Sequence, residues 1–257
     1  MHADAIRVVV LVALFGVAAG LVGCFALTKR MLLASDVMSH LALPGLGVAL
    51  LLKWNPLVGA AASLLFGTFL VWRLQRKTGL ATDSAIGVVF AAALALGALV
   101  TPGEDLLEAL FGDFRGLSVA GFATGIAAIA AVSLFVVIAR ERLLLAAVSP
   151  DLAAVAGVKV ELLNLYFLIA FSVTVLVGLR FLGALLSSAL IIIPAAIARQ
   201  LTNRMSHFLV LSSLAGIVSV LLGFALSAHI FKTSAVGPVI VLVSSVFFLA
   251  SLLFNRK

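Results

Sequence analysis

Long runs of apolar residues, separated by short polar segments, make up most of the chain. A helix needs about 20 predominantly apolar residues to cross a bilayer, and nine segments come close to that length. They lie at about 8–27, 35–52, 57–72, 84–101, 118–139, 161–179, 183–199, 208–228 and 236–254. Only Arg180 and a few neighbours separate the sixth segment from the seventh, which fits either two spans or one span and a broken helix. We therefore predict eight or nine transmembrane helices.

The composition indicates that the bilayer is the solvent of this chain. Of the 257 residues, 64% are hydrophobic and 11% are charged, whereas a soluble domain keeps about a quarter of its residues charged. We predict an all-α fold, a polytopic membrane helix bundle. The longest stretch outside the spans is about 140–160, so residues 1–257 are expected to form a single transmembrane domain.

The basic residues are concentrated in alternate loops. The net charge is +7, and about twelve of the seventeen lysines and arginines follow the first, third, fifth, seventh and ninth spans. Cytoplasmic loops carry such an excess, so nine spans would place the N-terminus outside and the C-terminus inside. No basic stripe is interleaved with aromatic residues, and we expect no binding to nucleic acid.

An acidic segment follows the fourth span, on the side predicted to be outside. Its sequence is TPGEDLLEALFGDFRG, and its acidic residues fall within about 102–116. Two explanations remain open for this loop: a docking surface for an external partner, or a solvated loop that contains a short amphipathic helix.

The second span opens with two ionisable residues in the sequence SDVMSHLALPG. Asp36 and His40 are four residues apart, which places them on one face of a helix. Ionisable groups within a membrane are costly and mostly face a cavity or a partner. A carboxylate with an imidazole favours Zn²⁺, Mn²⁺ or Fe²⁺ over Mg²⁺ or Ca²⁺. The pair is our candidate metal site.

Pro44 adds a backbone feature to this candidate site. A proline lacks the N–H that would bond the carbonyl four residues earlier, here that of His40. The segment therefore predicts a kinked helix that lines a cation path, and Gly45 would let another helix approach closely. Simpler alternatives remain open, with Asp36 as an interfacial acid and His40 hydrogen-bonded to another helix. Because a closed tetrahedral site needs about four donors, other spans or waters would have to add ligands.

The loop sequence VSPDLAAVAGVKV predicts a short cytoplasmic helix. Ser149 is a favourable N-cap, Pro150 fits the first helical position, and Asp151 suits the positive end of the helix dipole. Gly157 is a natural left-handed end. About seven residues are too few for an isolated helix, so this helix must pack against a soluble partner or against the protein's own underside.

Motifs for catalysis are missing from the sequence. It contains no GxxxxGK[ST] loop for ATP phosphates, no HExxH and no GxSxG. The single cysteine, Cys24, excludes an internal disulfide and a cysteine-based metal cluster. We expect no enzymatic activity from this chain alone.

These segments together resemble the permease subunit of the zinc, manganese and iron uptake branch of bacterial ABC transporters, the ABC-3 family. The most specific part is ASDVMSHLALPG, which is similar to the family's signature with Asp, Ser-His and Pro-Gly at the same spacing. Ser35 stands where the family usually has glycine. Further agreement comes from TDSAIGVVF, SPDLAAVAGV and LGALLSSALIIIPAAIARQLT, so that the resemblance extends over about residues 20–255.

The resemblance implies the fold of type II ABC importers in a bacterial cytoplasmic (inner) membrane. Two copies would form the channel as a homodimer, each on a cytoplasmic ATP-binding subunit, and an external solute-binding protein would deliver the metal. Asp36 and His40 would coordinate the transported ion, which we expect to be Zn²⁺, with Mn²⁺ or Fe²⁺ as alternatives and no permanently bound cofactor. The coupling helix that receives the ATPase movement would consist of Ser149, Pro150, Asp151, Leu152, Ala153, Ala154, Val155, Ala156 and Gly157.

Two other functions compete with that of an importer permease. A self-sufficient secondary metal or cation carrier usually holds several intramembrane acids or paired repeats, whereas this sequence shows one such acid and no paired repeat. A membrane anchor without transport would gain nothing from the Asp36–His40 pair, which is energetically costly to place within a membrane.

Overall fold

The computed structural model describes residues 2–31, 34–100, 119–231 and 236–253. The acidic segment at 102–116 lies outside these residues. The α-helices are α1 (His2–Thr28), α2 (Ala34–His40), α3 (Leu43–Leu51), α4 (Pro56–Thr78), α5 (Thr82–Val100), α6 (Val119–Val148), α7 (Pro150–Val155), α8 (Val160–Leu201), α9 (Met205–Leu226) and α10 (Val236–Leu252). A π-helical turn, Ser227–Phe231, follows α9. No strand occurs in the described ranges, and the predicted all-α membrane bundle is confirmed.

Seven helical segments of the described chain are long and apolar enough to cross a membrane. Two further apolar helices, Leu185–Leu201 and Val236–Leu252, have at most 17 residues. Apolar helices thus occupy all nine predicted positions. Seven of them meet the length and hydropathy expected of a membrane span, which is fewer than the eight or nine spans predicted. A helix of 17 residues reaches roughly 26 Å, which is slightly short of a hydrocarbon core of about 30 Å.

The longest helix, α8, consists of two helices that meet at Gly183. The backbone of Gly183 is non-helical, with φ 78° and ψ 168°. The backbone at Gly178 lies directly against the Ser187 side chain, although nine residues of straight helix would separate them by about 13 Å. The chain therefore reverses at Gly183, and the sixth and seventh predicted spans are two antiparallel helices.

Helix α1 forms the centre of the bundle, where it packs against α6, α8 and α9. Small residues let its backbone approach α9 closely. Gly16 meets Gly216 backbone to backbone, and the Ser212 hydroxyl donates a hydrogen bond of 2.9 Å to the Gly20 carbonyl. In a bilayer, close packing and interhelical hydrogen bonds of this kind hold helices together, because lipid removes most of the hydrophobic driving force.

Candidate functional site

The candidate metal pair lies on one face of α2, as the spacing predicts. The opposite face of this short helix is buried in the bundle and consists of Ala34, Ser35, Met38 and Ser39. The Asp36 side chain is exposed and that of His40 is partly exposed. A carboxylate and an imidazole, one helical turn apart, therefore face outward from the single chain.

The His40 imidazole packs against the Phe90 ring of α5. The ring centroids are 5.7 Å apart and the ring planes are inclined by 55°. This contact restricts the imidazole and connects α2 to α5. Phe90 has no role in the prediction from sequence, although it ends the segment TDSAIGVVF, one of the stretches that carry the family resemblance.

The chain is interrupted after His40, which corrects the prediction of a single kinked helix. Helix α2 ends at His40, and α3 begins at Leu43. The intervening Leu41 and Ala42 are buried, with exposed fractions of 1% and 0%. Pro44 lies in the first turn of α3, a position where the missing N–H costs no helical hydrogen bond. The proline thus lies in the first turn of a second helix, which begins three residues after His40.

Neighbouring helices support this break. The Ser63 hydroxyl of α4 donates a hydrogen bond of 2.7 Å to the Leu41 carbonyl. Gly45 of α3 and Gly59 of α4 are so close that a Cβ on either would collide with the carbonyl oxygen of the other. An interruption of the helical hydrogen bonds at membrane depth persists only where the protein satisfies the freed polar groups. These contacts hold the end of α2, and with it the metal pair, in a fixed position.

The metal pair offers an incomplete ligand set. Within the described ranges, no three side chains of His, Cys, Asp or Glu are grouped closely enough to hold a metal ion. At this position the described residues of one chain supply one carboxylate and one imidazole, about half of the donors in a tetrahedral site.

The predicted cytoplasmic helix is present as α7, with the expected start and end. The Ser149 hydroxyl accepts a hydrogen bond of 3.4 Å from the Leu152 amide, and Pro150 occupies the first turn. Gly157 follows the helix with a left-handed φ of 79°. Short-range capping thus defines both ends of the segment.

The side chains of α7 divide into a buried anchor and an outward apolar surface. Ala153 is completely buried, whereas Leu152 and Val155 are 61% and 88% exposed. Large aliphatic side chains at such exposure on a loop helix favour an interaction with a partner. The buried Ala153 fits the connector alternative, while the exposed Leu152 and Val155 are accessible to a partner.

Two polar contacts at the predicted cytoplasmic ends of the helices have no counterpart in the sequence-based prediction. The Lys29 ammonium, just beyond α1, donates a hydrogen bond to Asn164 Oδ1 of α8 and lies 5.5 Å from the Phe167 ring centroid. Burial lowers the pKa of Lys29 to about 8. From the sequence alone, Lys29 is only one of the loop charges that set the orientation of the chain in the membrane.

The second contact joins α4 to the start of α8. The Trp72 indole N–H donates to the Glu161 carbonyl at 3.1 Å, and the Arg76 guanidinium lies 2.9 Å from the Glu161 carboxylate. Both charged side chains are more than half exposed, so the ion pair itself stabilises the fold little. The indole contact adds an aromatic residue at the expected membrane boundary.

Comparisons with known proteins agree with this architecture. The model of the ABC 3 transport family matches residues 1–255. The chain is similar to the manganese transport system membrane protein MntC of Listeria monocytogenes, with 31% identity over 247 residues, which cover 94% of this chain and 87% of that protein. It is also similar to the zinc transport system membrane protein TroC of Treponema pallidum, with 34% identity over 264 residues, 97% of this chain and 88% of that protein.

A solved structure shares the fold. A chain of PsaBC from Streptococcus pneumoniae, determined in complex with Fab, superimposes with a TM-score of 0.80 at 27% sequence identity. The match covers 96% of this chain and 90% of that one. The arrangement of helices described above is therefore that of a known membrane protein along almost its whole length.

Proposed function

The chain belongs to the ABC 3 transport family and is a multi-pass permease of the ABC metal importers, and on this premise we propose that Asp36 and His40 bind the imported ion on its path. The observation that carries the proposal is their shared outward face on α2. A permease is not itself an enzyme, so the energy for transport would come from a separate ATP-binding subunit.

A second copy of the chain would complete the ligand set. One copy supplies two donors, and a two-fold symmetric contact presents the same surface from both subunits. If the outward faces of α2 meet across such an axis, two carboxylates and two imidazoles surround the ion. Four donors of this kind match the coordination number of Zn²⁺. A homodimer of this kind would account for the exposed position of the pair on the single chain.

We assign Zn²⁺ as the cargo, with Mn²⁺ and Fe²⁺ as the competing ions. Imidazole nitrogen and carboxylate oxygen accept all three metals, and selectivity depends on geometry and availability. The relatives named above include a zinc system and a manganese system. Growth of a deletion strain in chelated medium, rescued by each metal separately, identifies the ion directly.

The remaining partners follow from the same premise. A cytoplasmic ATP-binding subunit would contact Ser149–Gly157, an external solute-binding protein would deliver the ion, and the complex would lie in the bacterial cytoplasmic membrane. Residues 1–257 would act as one transmembrane domain. The exposed Leu152 and Val155 support the contact with the ATP-binding subunit.

Substitution of the two ligands tests the metal path. We expect Asp36→Asn and His40→Gln each to reduce uptake of radiolabelled zinc to the background of the deletion strain, because each replaces a carboxylate or imidazole by a neutral amide, a much weaker ligand for Zn²⁺, without a large change in size. Glu141→Gln and His207→Gln make comparable changes at exposed positions elsewhere and should leave uptake intact. Normal uptake by both ligand variants would show that the site is assigned wrongly.

A second experiment tests the coupling helix. We expect Leu152→Asp together with Val155→Asp to prevent co-purification of the ATP-binding subunit, because both side chains are exposed and apolar. Leu80→Asp introduces the same change at another exposed loop position and should retain the subunit. Retention of the subunit by the double variant would favour the simple connector.

Transport by the purified chain alone distinguishes the importer from the secondary carrier. In liposomes without an ATP-binding subunit, an ion gradient should drive no metal uptake. Uptake driven by a proton or sodium gradient under these conditions would establish the carrier instead.

A further inference from the structure

A groove of about 350 Å³ lies beside the coupling segment, between the end of α6 and the start of α8. Arg142 of α6 and Lys159, immediately before α8, are the two basic residues that line it. Leu162, Leu163 and Tyr166 continue the wall along α8. This groove plays no part in the proposed metal path.

The two cations of the groove are free of acidic partners among the residues that the structure describes. Glu141 lies 3.8 Å from Arg140, and Glu161 lies 2.9 Å from Arg76. The acids adjacent in sequence to the groove are therefore directed to other arginines. Arg142 and Lys159 are both exposed, so two positive charges are presented at one opening.

The polarity of the groove changes along the helix axis. Lys159 lies at the helix start, and Tyr166 follows seven residues later, about 10 Å deeper by the helical rise. Leu162 and Tyr166 are 39% and 50% exposed, so the deeper wall offers an accessible aliphatic and aromatic surface. In the orientation inferred from the loop charges, the cationic end lies at the cytoplasmic surface and the apolar end lies within the membrane.

We propose that this groove binds an anionic phospholipid of the cytoplasmic leaflet, with the headgroup phosphate between Arg142 and Lys159 and an acyl chain along Leu162, Leu163 and Tyr166. Basic pockets between membrane helices on the cytoplasmic side recognise anionic headgroups, and a tyrosine at this depth matches the interfacial belt. An acidic side chain of a soluble subunit would reach the cations but would leave the membrane-facing wall uncovered. The bound lipid would brace Gly157, the end of the proposed coupling segment, against the bundle.

Lipid binding to the full chain, purified in mild detergent and stripped of lipid, tests the proposal. Dioleoyl phosphatidylglycerol should raise Tm and appear as a bound adduct in native mass spectrometry, whereas dioleoyl phosphatidylcholine should do neither at the same concentration. In the Arg142→Gln/Lys159→Gln variant we expect phosphatidylglycerol binding to weaken roughly 20-fold to 30-fold, since each cation near an anionic lipid contributes a factor of about five.

A matched variant, Arg199→Gln/Arg204→Gln, removes two exposed charges from other positions on the same predicted side and should bind phosphatidylglycerol as the original chain does. Equal weakening in both variants would overturn the proposal, because net charge alone would then explain binding. Equal stabilisation by free glycerol phosphate would also overturn it, since the apolar wall would have no role. If the groove variant keeps the lipid but no longer co-purifies with the ATP-binding subunit, the two cations dock a protein and the lipid site is refuted.

The lipid measurement does not depend on metal transport. A chain with inactive Asp36 and His40 should bind phosphatidylglycerol as the original does. Failure of the metal site and failure of the lipid site therefore give different results.

Discussion

At the scale of single residues, tertiary packing places the loop charge of Lys29 in contacts that the sequence does not reveal. Its ammonium lies 5.5 Å from the centroid of the Phe167 ring and donates a hydrogen bond to Asn164. The cost of removing this charge from water lowers its pKa to about 8. An unfolded lysine titrates near pH 10.4, so the folded chain releases this proton more readily than the unfolded chain.

The pH dependence of stability should report this difference. Between about pH 8 and pH 10 the unfolded state holds more protons than the folded state, so the Lys29 contribution to stability rises with pH. Below about pH 8 both states are protonated and the cost is constant. Lys29→Met keeps the apolar stem and removes the charge. We expect its Tm, measured relative to the original chain, to fall by roughly 2–4 °C as the pH rises through this window, which corresponds to roughly 1 kcal/mol after solvent screening.

The exposed Lys77, in the last turn of α4, supplies the control. Lys77→Met should keep a constant Tm difference from the original chain between pH 7 and pH 10. A Lys29→Met difference that is equally flat across this range would show that the Lys29 ammonium is well solvated in the folded chain.

The shared helix face of Asp36 and His40 is readable from sequence because it depends only on residue type and helical spacing. Asp36 and His40 need only an i, i+4 relation to share a face. The Phe90 contact and the Ser63 hydrogen bond are not readable in this way, because both cross between helices. Local chemistry is thus predictable here, while the groups that orient it depend on the tertiary fold.

At the scale of helices, the apolar pattern predicts where helices lie and the interruption near Arg180, but not the break that follows His40. The nine apolar runs become helices, and the capping residues around α7 fix both of its ends. The turn at Leu41 and Ala42 is itself apolar and carries no polar interruption. It exists because α4 supplies a hydrogen bond and a close backbone contact. The reversal at Gly183 depends likewise on the fit between the two halves of α8.

The crossing of α3 and α4 is the contact on which the break depends most directly. Gly45 and Gly59 touch backbone to backbone, so we expect Gly45→Ala to separate the helices and to destabilise the chain by roughly 1–3 kcal/mol, the usual cost of overpacking. Displacement of α3 should also disturb the end of α2 and reduce metal uptake. Thermal unfolding in detergent and uptake in cells measure the two effects.

A helical glycine in open space provides the matched control for this substitution. A Cβ at Gly87 of α5 would meet nothing within 4 Å. Gly87→Ala should therefore leave Tm unchanged or raise it, since alanine favours a helix by roughly 0.5–1 kcal/mol over glycine. Equal unfolding temperatures of the two alanine variants would contradict the prediction, because the α3–α4 crossing would then accommodate a Cβ at Gly45.

At the scale of the whole molecule, loop charge and helix length predict different membrane topologies for the last part of the chain. Seven segments meet the length and hydropathy expected of a span, whereas the alternation of basic loops requires nine crossings. The two accounts differ at the two helices of 17 residues, Leu185–Leu201 and Val236–Leu252, and the first of them decides the side of the loop that follows it. If this helix crosses the membrane, the loop at Asn203 is cytoplasmic; if it does not, that loop and Arg204 lie outside, against the charge rule.

Cysteine labelling resolves this difference, because the chain has a single cysteine and Cys24 is completely buried. An impermeant maleimide should leave the original chain unlabelled in spheroplasts. Lys53→Cys, on the loop between α3 and α4, should react in intact spheroplasts, whereas Lys77→Cys should react only after permeabilisation. We expect Asn203→Cys to behave like Lys77→Cys, since a helix of 17 residues spans the core once the bilayer thins or flanking arginines extend to the interface. Labelling of Asn203→Cys in intact spheroplasts would place the following loop outside. The inferred orientation of α9 and α10 would then reverse, while Lys53 and Lys77 would still fix the side of the membrane on which Arg142 and Lys159 lie.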